Sequence, residues 1–354
     1  MATQPRIVVR KAQEEDFEAV MDINRELALG ADYLYYQYSE LINDPDSTYY
    51  VCEADGEVAA FEGVSLLDDN NTLMTRSARV KERFRGQGLL NQIRKKIYED
   101  YKDVPGQKRI RTCCSNIVRL LDSVTFRSQN RFLGTRACAI YDPMEVEQWP
   151  AAYINAARTP EVRTVDSELL GILFQNKELT SYLFPMGFLV VMSWFFDPLV
   201  SNIKHIQKQR PQVSISATLD RYINMLNSTS KSETSQLESK IKETGDGSTG
   251  LLVICGHYKT QAMLYFNIEI YGKPKQGQDY IELRSVIFHG LKHATSTIEQ
   301  DQTKRPLSFG INTDNDEVLQ MCKSIVAPMQ FQQVKMGAFK CQNFFEQEFE
   351  KLIN

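Results

Sequence analysis

The sequence predicts an α+β chain built on mixed sheets, in two domains. Short apolar or alternating runs of strand type interleave with stretches of helical spacing throughout the 354 residues. The stretch Leu73 to Tyr101 reads as strand, glycine-containing turn and helix. The length exceeds what one core comfortably fills, so two domains are expected, 1–148 and 149–354.

In order, Ile7 to Arg10 is a first strand, and Glu14-Glu15-Asp16 opens a helix through Leu27, acidic at its start as the helix dipole prefers. Gly30-Ala31-Asp32 ends it, and Tyr33 to Ile42 reads as a second helix, closed by Asn43-Asp44-Pro45-Asp46. Thr48 to Ala54 and Val58 to Leu67 are strands joined by Asp55-Gly56, a hairpin signal. The turn Asp68 to Asn71 leads to the strand at Leu73. In the next helix Leu89, Leu90, Ile93, Ile97, Tyr98 and Tyr101 share a stripe, with Arg94, Lys95, Lys96, Glu99 and Asp100 opposite. Pro105-Gly106 breaks the chain. Arg109 to Ser115 is a strand, Asn116 to Ser123 a short helix, and Phe132 to Tyr141 a strand ending at Asp142-Pro143.

From about Trp149 a second region begins. Leu183 to Phe196 is its most apolar run, too short and too broken by Pro185 and Gly187 to span a bilayer, so a buried strand or domain-interface segment is expected. Residues 228–250 are poor in large apolar side chains and read as an exposed linker or loop. Leu251 to Tyr258 and Met263 to Ile270 read as a strand pair, and Tyr280 to Ser296 as a helix. Leu307 to Ile311 follows as a strand, Asp316 to Ile325 as a helix and Phe331 to Gly337 as a strand.

Lys+Arg 41 against Asp+Glu 45 gives a net charge of -4, so no nucleic-acid partner is expected. The amino terminus has no apolar core of secretory type. Seven cysteines, an odd number without a C-x-x-C pair, point to a reducing, cytoplasmic location. His289 and His293 stand at i, i+4 on a helix, but no third ligand is placed, and no metal is expected.

Arg83-Phe84-Arg85-Gly86-Gln87-Gly88 fits the pattern Arg/Gln-x-x-Gly-x-Gly/Ala. Glycines let the backbone approach a ligand closely, and the helix that follows presents unpaired N–H groups to an anion such as a pyrophosphate. With the element order βααβββαβαβ over residues 6–142, the chain resembles the GCN5-related (GNAT) N-acetyltransferases. The resemblance implies that the strands on either side of the central helix splay apart, and that acetyl-CoA enters the gap. Arg79 and Val80 on the first strand, the loop residues Arg83, Arg85, Gly86, Gln87, Gly88 and Leu89, and Asn116 after the next strand are the implied cofactor contacts. A degenerate second domain of this type is plausible for the carboxyl-terminal region.

Asp32-Tyr33-Leu34, Tyr38, Asp44-Pro45-Asp46, Ala60 to Val64, Arg79-Val80 and the glycine loop further resemble the vertebrate histidine N-acetyltransferase family. Tyr265 to Glu269 with Tyr271-Gly272, and Trp194, extend the likeness to the second half. Three departures touch the acceptor side. That family's Val-Glu-Gly-Leu-Arg-Val strand is here Thr75 to Val80, with a carboxylate lost. Its Arg-Leu-Thr-Arg-Asp-Asp stretch is here Arg111 to Asn116, and a Trp-Gln-Pro is replaced by Trp194 to Pro198.

Acetyl transfer to an amine needs a neutral amine, a polarised thioester carbonyl and a proton for the thiolate. A backbone N–H near Arg79-Val80 can serve the carbonyl. Glu62 is the candidate base: a lone carboxylate in the apolar strand VAAFEGVSLL, sharing a face with Val58, Ala60 and Val64. The alternative is an exposed or ion-paired glutamate, with Arg79 as the partner. No tyrosine stands in the Ile117 to Ser123 helix to protonate the thiolate. Tyr33 and Tyr38, with Tyr35 and Tyr36, frame a substrate or simply pack a helix, and Tyr265, Asn267 and Glu269 share a strand face that could close the pocket. The expected activity is acetyl-CoA-dependent acetylation of a small amine, such as the α-amino group of free L-histidine. The competing readings are a protein or peptide N-acetyltransferase and an inactive acyl-CoA-binding interaction protein; no membrane partner is expected, and oligomeric state is open.

Overall fold

A computed structural model describes residues 5–25, 32–106, 108–115, 124–159, 162–228, 250–274, 280–301, 304–334 and 341–353. The chain forms two units. The first takes residues up to Gly134 together with Lys259–Met263 and Asn343–Asn354; the second takes Thr135–Tyr258 and Leu264–Gln342.

In the first unit, β1 (Ile7–Lys11), α1 (Phe17–Asp22) and α2 (Leu34–Ile42) lead into β2 (Ser47–Ala54), β3 (Glu57–Leu67) and β4 (Thr72–Val80). The β2–β3 turn has both central residues at positive φ, Asp55 at +52 and Gly56 at +83, whose twist suits a two-residue hairpin. Then come α3 (Leu89–Tyr101), β5 (Arg109–Ser115) and α4 (Val124–Gln129). The sheet order is β1, β2, β3, β4, β5 and then β14 (Cys341–Glu348), with β1 through β4 antiparallel and β5 parallel to β4. One sheet face, through Tyr50, Cys52, Ala60 and Val64, packs on Leu89, Ile93 and Ile97 of α3, with Phe349 and Leu352 beside them. The other face carries Tyr49 stacked on Phe61 at 5.5 Å, with Tyr38 of α2 against the same ring.

The second unit begins in β6 (Arg131–Met144) and continues with α5 (Ala151–Ala156), β7 (Val162–Thr164), α6 (Ser167–Gln175) and α7 (Lys177–Leu183). Next are β8 (Leu189–Val191), β9 (Trp194–Phe196), α8 (Ile203–Lys208), β10 (Gln212–Ser216) and α9 (Ala217–Ser228). β11 (Gly250–Lys259), β12 (Leu264–Lys273), α10 (Ile281–Gln300), β13 (Leu307–Thr313) and α11 (Asp316–Val326) complete it. Its sheet order is β6, β13, β12, β11, β10, β7. Phe266, Ile268 and Ile270 of β12 pack on Leu283, Ile287 and Leu291 of α10, which recur every four residues and so share one helix face.

Three expectations are corrected. The apolar run from Leu183 is buried strand as expected, but in two pieces: after the end of α7 it folds into a small β8–β9 hairpin, because Met192 and Ser193 turn the chain at φ +50 and +70. β6 continues past Asp142-Pro143 to Met144: two of its residues oppose Ser308 alone, and this bulge absorbs the proline. Of Phe331 to Gly337, the described part contributes a single bridge, Gln333 to Tyr141, and the final strand is β14, which the sequence reading missed. The expected helix at Asn116 to Ser123, and all but the ends of the 228–250 loop, lie outside the described residues. Among the described residues no helix is long and apolar enough to cross a membrane.

Candidate active site

The first unit opens where β4 and β5 part. They pair at Thr72–Arg109, Leu73–Ile110 and Met74–Arg111. Thr75 Oγ1 still reaches Thr112 Oγ1 at 2.8 Å. Among the described residues no ladder pair joins the two strands beyond that point.

On its other edge β4 is distorted at the same level. Phe61 of β3 faces Arg79 and Gly63 faces Arg76, so Glu62 alone opposes two residues, Ser77 and Ala78. Ser77 accommodates the extra residue at φ +57. A side chain held there costs about 1–3 kcal/mol, so the surroundings must enforce it. They do so through three contacts. Tyr33 Oη lies 2.6 Å from Ser77 Oγ. Arg79 Nε donates to the Ser77 carbonyl at 3.2 Å. The Arg79 guanidinium is itself clamped by both Asp32 oxygens, at 2.7 and 3.3 Å.

Glu62 is fully buried and points to the α3 side of the sheet. Arg94 of α3 donates to its two oxygens at 3.3 and 3.4 Å. The Glu62 carboxylate raises Arg94 above its ordinary pKa, with burial working the other way. Arg79 is therefore not its partner. Arg79 stands opposite Phe61, and neighbouring residues of a strand project to opposite faces, so Arg79 and Glu62 leave the sheet on different sides.

Below the bulge lies the glycine loop. Gly86 and Gly88 sit at φ +79 and +75, and a Cβ built on either would meet nothing within 4 Å. Both glycines are thus required by conformation, and open space lies beside them. Gly88 caps α3, whose first i→i−4 bond runs from Gln92 N–H to the Gly88 carbonyl at 3.2 Å. The N–H groups of Leu89, Leu90 and Asn91 precede that bond and have no helical acceptor. The loop's side chains brace it from within. Arg83 pairs with Glu57, Arg85 Nε donates to the Val80 carbonyl at 3.3 Å, and Gln87 Nε2 donates to the Arg83 carbonyl at 3.0 Å. Leu89 is buried against the sheet. The start of α3 presents backbone N–H groups and the helix dipole to an anion, and Arg83, Arg85 and Gln87 remain exposed beside it.

The remaining predicted residues fall as follows. Tyr38 is buried and its hydroxyl donates to the Gln13 carbonyl at 2.7 Å; burial pushes that hydroxyl's pKa up. It packs α2, whereas Tyr33 belongs to the bulge. Asn116 lies outside the described residues. Tyr265, Asn267 and Glu269 do share one face of β12, in the second unit; Asn267 and Glu269 are buried there and Tyr265 is half-buried. There Arg136, wholly buried, pairs with Glu269 and with Asp314, and donates to Tyr271 Oη at 2.8 Å. Asn267 donates to Glu269, and Asn312 Nδ2 to Asn267 Oδ1 at 2.5 Å. Burial pushes Glu269 up to about 7 against the pull of Arg136, and the nearby Asp314 carboxylate adds to the rise.

Asp32, Ser77, Arg94 and Arg136 were not singled out as functional from sequence. Signals existed for two of them: Ser77 stands where the resembling strand has glycine, and Asp32 belongs to the Asp32-Tyr33-Leu34 stretch of the resemblance.

An opened parallel strand pair, a left-handed glycine loop and a helix start thus stand together in the first unit. Residues 11–117 match the model of the Acetyltransferase (GNAT) family. Over 78 residues the chain is 33% identical to the histidine N-acetyltransferase of Oreochromis niloticus, covering 22% of this chain and 23% of that protein. The chain thus spans less than a quarter of that curated relative's length. Two solved structures share the fold over nearly the whole chain. One is a tandem GNAT protein from the clavulanic acid biosynthesis pathway, with TM-score 0.54, 8% identity, and 97% and 99% of the two chains covered. The other is a GCN5-related N-acetyltransferase from Sphaerobacter thermophilus, with TM-score 0.51, 13% identity, and 98% and 97% covered. The match to the GNAT family thus falls on residues 11–117, and the fold is one shared with GNAT acetyltransferases.

Proposed function

We propose that the protein is an acetyl-CoA-dependent N-acetyltransferase acting on a small amine, the α-amino group of a free amino acid such as L-histidine. The observation that carries this reading is the parted β4–β5 edge standing above the Gly86–Gly88 turn. Acetyl-CoA supplies the activated acetyl group. The N–H groups at the start of α3 receive its pyrophosphate, the parted edge receives its pantetheine arm, and the bulged strand meets the thioester. Glu62, opposite the bulge, is the candidate base, and Arg94 would release it for that role or hold it in a structural pair. The free cysteines fit a reducing, cytoplasmic setting.

The histidine assignment is supported by the 78-residue likeness to the Oreochromis niloticus enzyme. A second reading, acyl-CoA binding without transfer, is favoured by the burial of Glu62 against Arg94. Thiol release from acetyl-CoA in the presence of each of the common amino acids separates the two. Turnover with one or a few amino acids, L-histidine among them, is expected. Calorimetric binding of acetyl-CoA without turnover on any acceptor would support the second reading, and no binding at all would sink both.

A further inference from the structure

Ser77 is the only residue of β4 at positive φ. Its conformation is imposed by groups from one short segment ahead of α2. Tyr33 holds its side chain, and Asp32 holds Arg79, whose Nε holds its carbonyl. A fixed carbonyl fixes the whole Ser77–Ala78 peptide plane, because the peptide is rigid, and it sets the direction of the Ala78 N–H. Arg79 and Asp32 are both shielded, at 3% and 14% side-chain exposure, so the clamp acts in a setting of weak screening. The segment also lies on the sheet face opposite α3, so the bulge is held from the side that the cofactor loop does not occupy.

We infer that Asp32 and Tyr33 are positioning residues for the thioester carbonyl. Together they hold the Ser77–Ala78 peptide in the geometry that polarises the acetyl group, and they act through Arg79 and Ser77 without touching the cofactor themselves. The inference rests on the reading of the parted β4–β5 edge as the acetyl-CoA site. Preorganised backbone donors act only when held within a few tenths of an ångström of the productive position, which is the reason for clamping one peptide from both its side chain and its carbonyl.

The first readout needs no acceptor. Acetyl-CoA carrying a 13C-labelled acetyl carbonyl is bound to the full-length protein, and its carbonyl stretch is read by difference infrared spectroscopy. In the wild type the band should lie below that of free acetyl-CoA. In Asp32→Asn and in Tyr33→Phe it should move back toward the free value, while calorimetric affinity for acetyl-CoA stays within about threefold because the Gly86–Gly88 loop is untouched. Turnover with L-histidine should fall in kcat, about tenfold or more for Asp32→Asn, with the acetyl-CoA KM little changed. Ser77→Gly, which adopts positive φ without strain, should make Tyr33→Phe nearly silent in the double variant.

An unshifted band in the wild type overturns the inference. So do variants that keep the wild-type band and kcat while losing only melting temperature, since a purely structural clamp would behave in that way. Failure of the wild type to bind acetyl-CoA strikes the proposed function itself, and the calorimetry shows it separately.

Discussion

The two units repeat one device and finish it differently. In each, a central strand leads through a helix to a parallel neighbour: β4 through α3 to β5, and β12 through α10 to β13. β12 and β13 stay zipped over seven positions, from Leu264–Leu307 to Ile270–Thr313. β4 and β5 pair over three, and β4 carries the strained bulge at Ser77. Where the first unit leaves an opening, the second packs the Arg136 cluster, and Gly310 of β13 lets the Tyr265 hydroxyl and Asn267 lie close across the ladder. One strand pair is strained and opened, and the other is closed and charge-filled. The difference teaches that fold alone does not make a site here; the site depends on where pairing is interrupted.

Each unit also has a buried glutamate paired with an arginine, Glu62 with Arg94 and Glu269 with Arg136, and this sharpens the contrast. Glu62→Gln keeps shape and removes charge. If Glu62 is the base, kcat should fall by roughly 10²–10⁴-fold, with acetyl-CoA binding intact. A raised acceptor KM at unchanged kcat would make it a substrate contact instead. A lowered melting temperature with full activity would leave it as the structural partner of Arg94.

Glu269→Ala should act on stability. It strips a wholly buried guanidinium of one carboxylate, a change that costs about 3–5 kcal/mol when a buried pair is broken. Chemical denaturation should show the loss, and a stability unchanged within error would mean that the cluster is not a closed ionic core. The pH dependence has a definite sign. Burial raises Glu269 from 4.5 to about 7, so the folded state holds more protons than the unfolded state between those values. Its contribution is full below about pH 4.5 and is lost as pH rises through about 7. Across that window the wild-type melting temperature should decline relative to Glu269→Gln.

The smallest effect is the cleanest probe of the opened pair. Gly86→Glu or Gly88→Glu puts a side chain and a negative charge into a left-handed turn at the start of α3. Acetyl-CoA affinity should fall at least tenfold, about 1.4 kcal/mol. Unchanged binding by a folded variant would remove the loop from the cofactor site.

Much of the first unit was legible because its signals are local. Asp55-Gly56 specifies its hairpin, the apolar stripe from Leu89 to Tyr101 specifies α3, and two glycines mark the turn between. What escaped depends on partners far away in the chain. Ser77 is an ordinary strand residue until the β3 register shows that Glu62 opposes two residues. Arg79 looked available to Glu62 until the pleat separated them. Arg136 finds its carboxylate partners far off in sequence: Asp314 and Glu269, which pair with it, lie more than 130 residues on. The Tyr265, Asn267 and Glu269 face was legible as a face, but its closure by Arg136 was not.

The place of β14 beside β5 carries a consequence for how the chain is made. The first unit's sheet ends on a strand that begins at Cys341, about 225 residues after β5 ends at Ser115. Ribosomes add about 5–20 residues per second, so the edge of β5 waits roughly 10–45 seconds for its neighbour. Until then Arg111 lacks the Glu346 carboxylate that it meets at 3.2 Å, and Phe126 lacks the Phe345 ring at 4.9 Å. During synthesis that bare edge is a template for pairing with a neighbouring nascent chain. A nascent-chain pulse–chase should find the first unit protease-sensitive until β14 has left the ribosome.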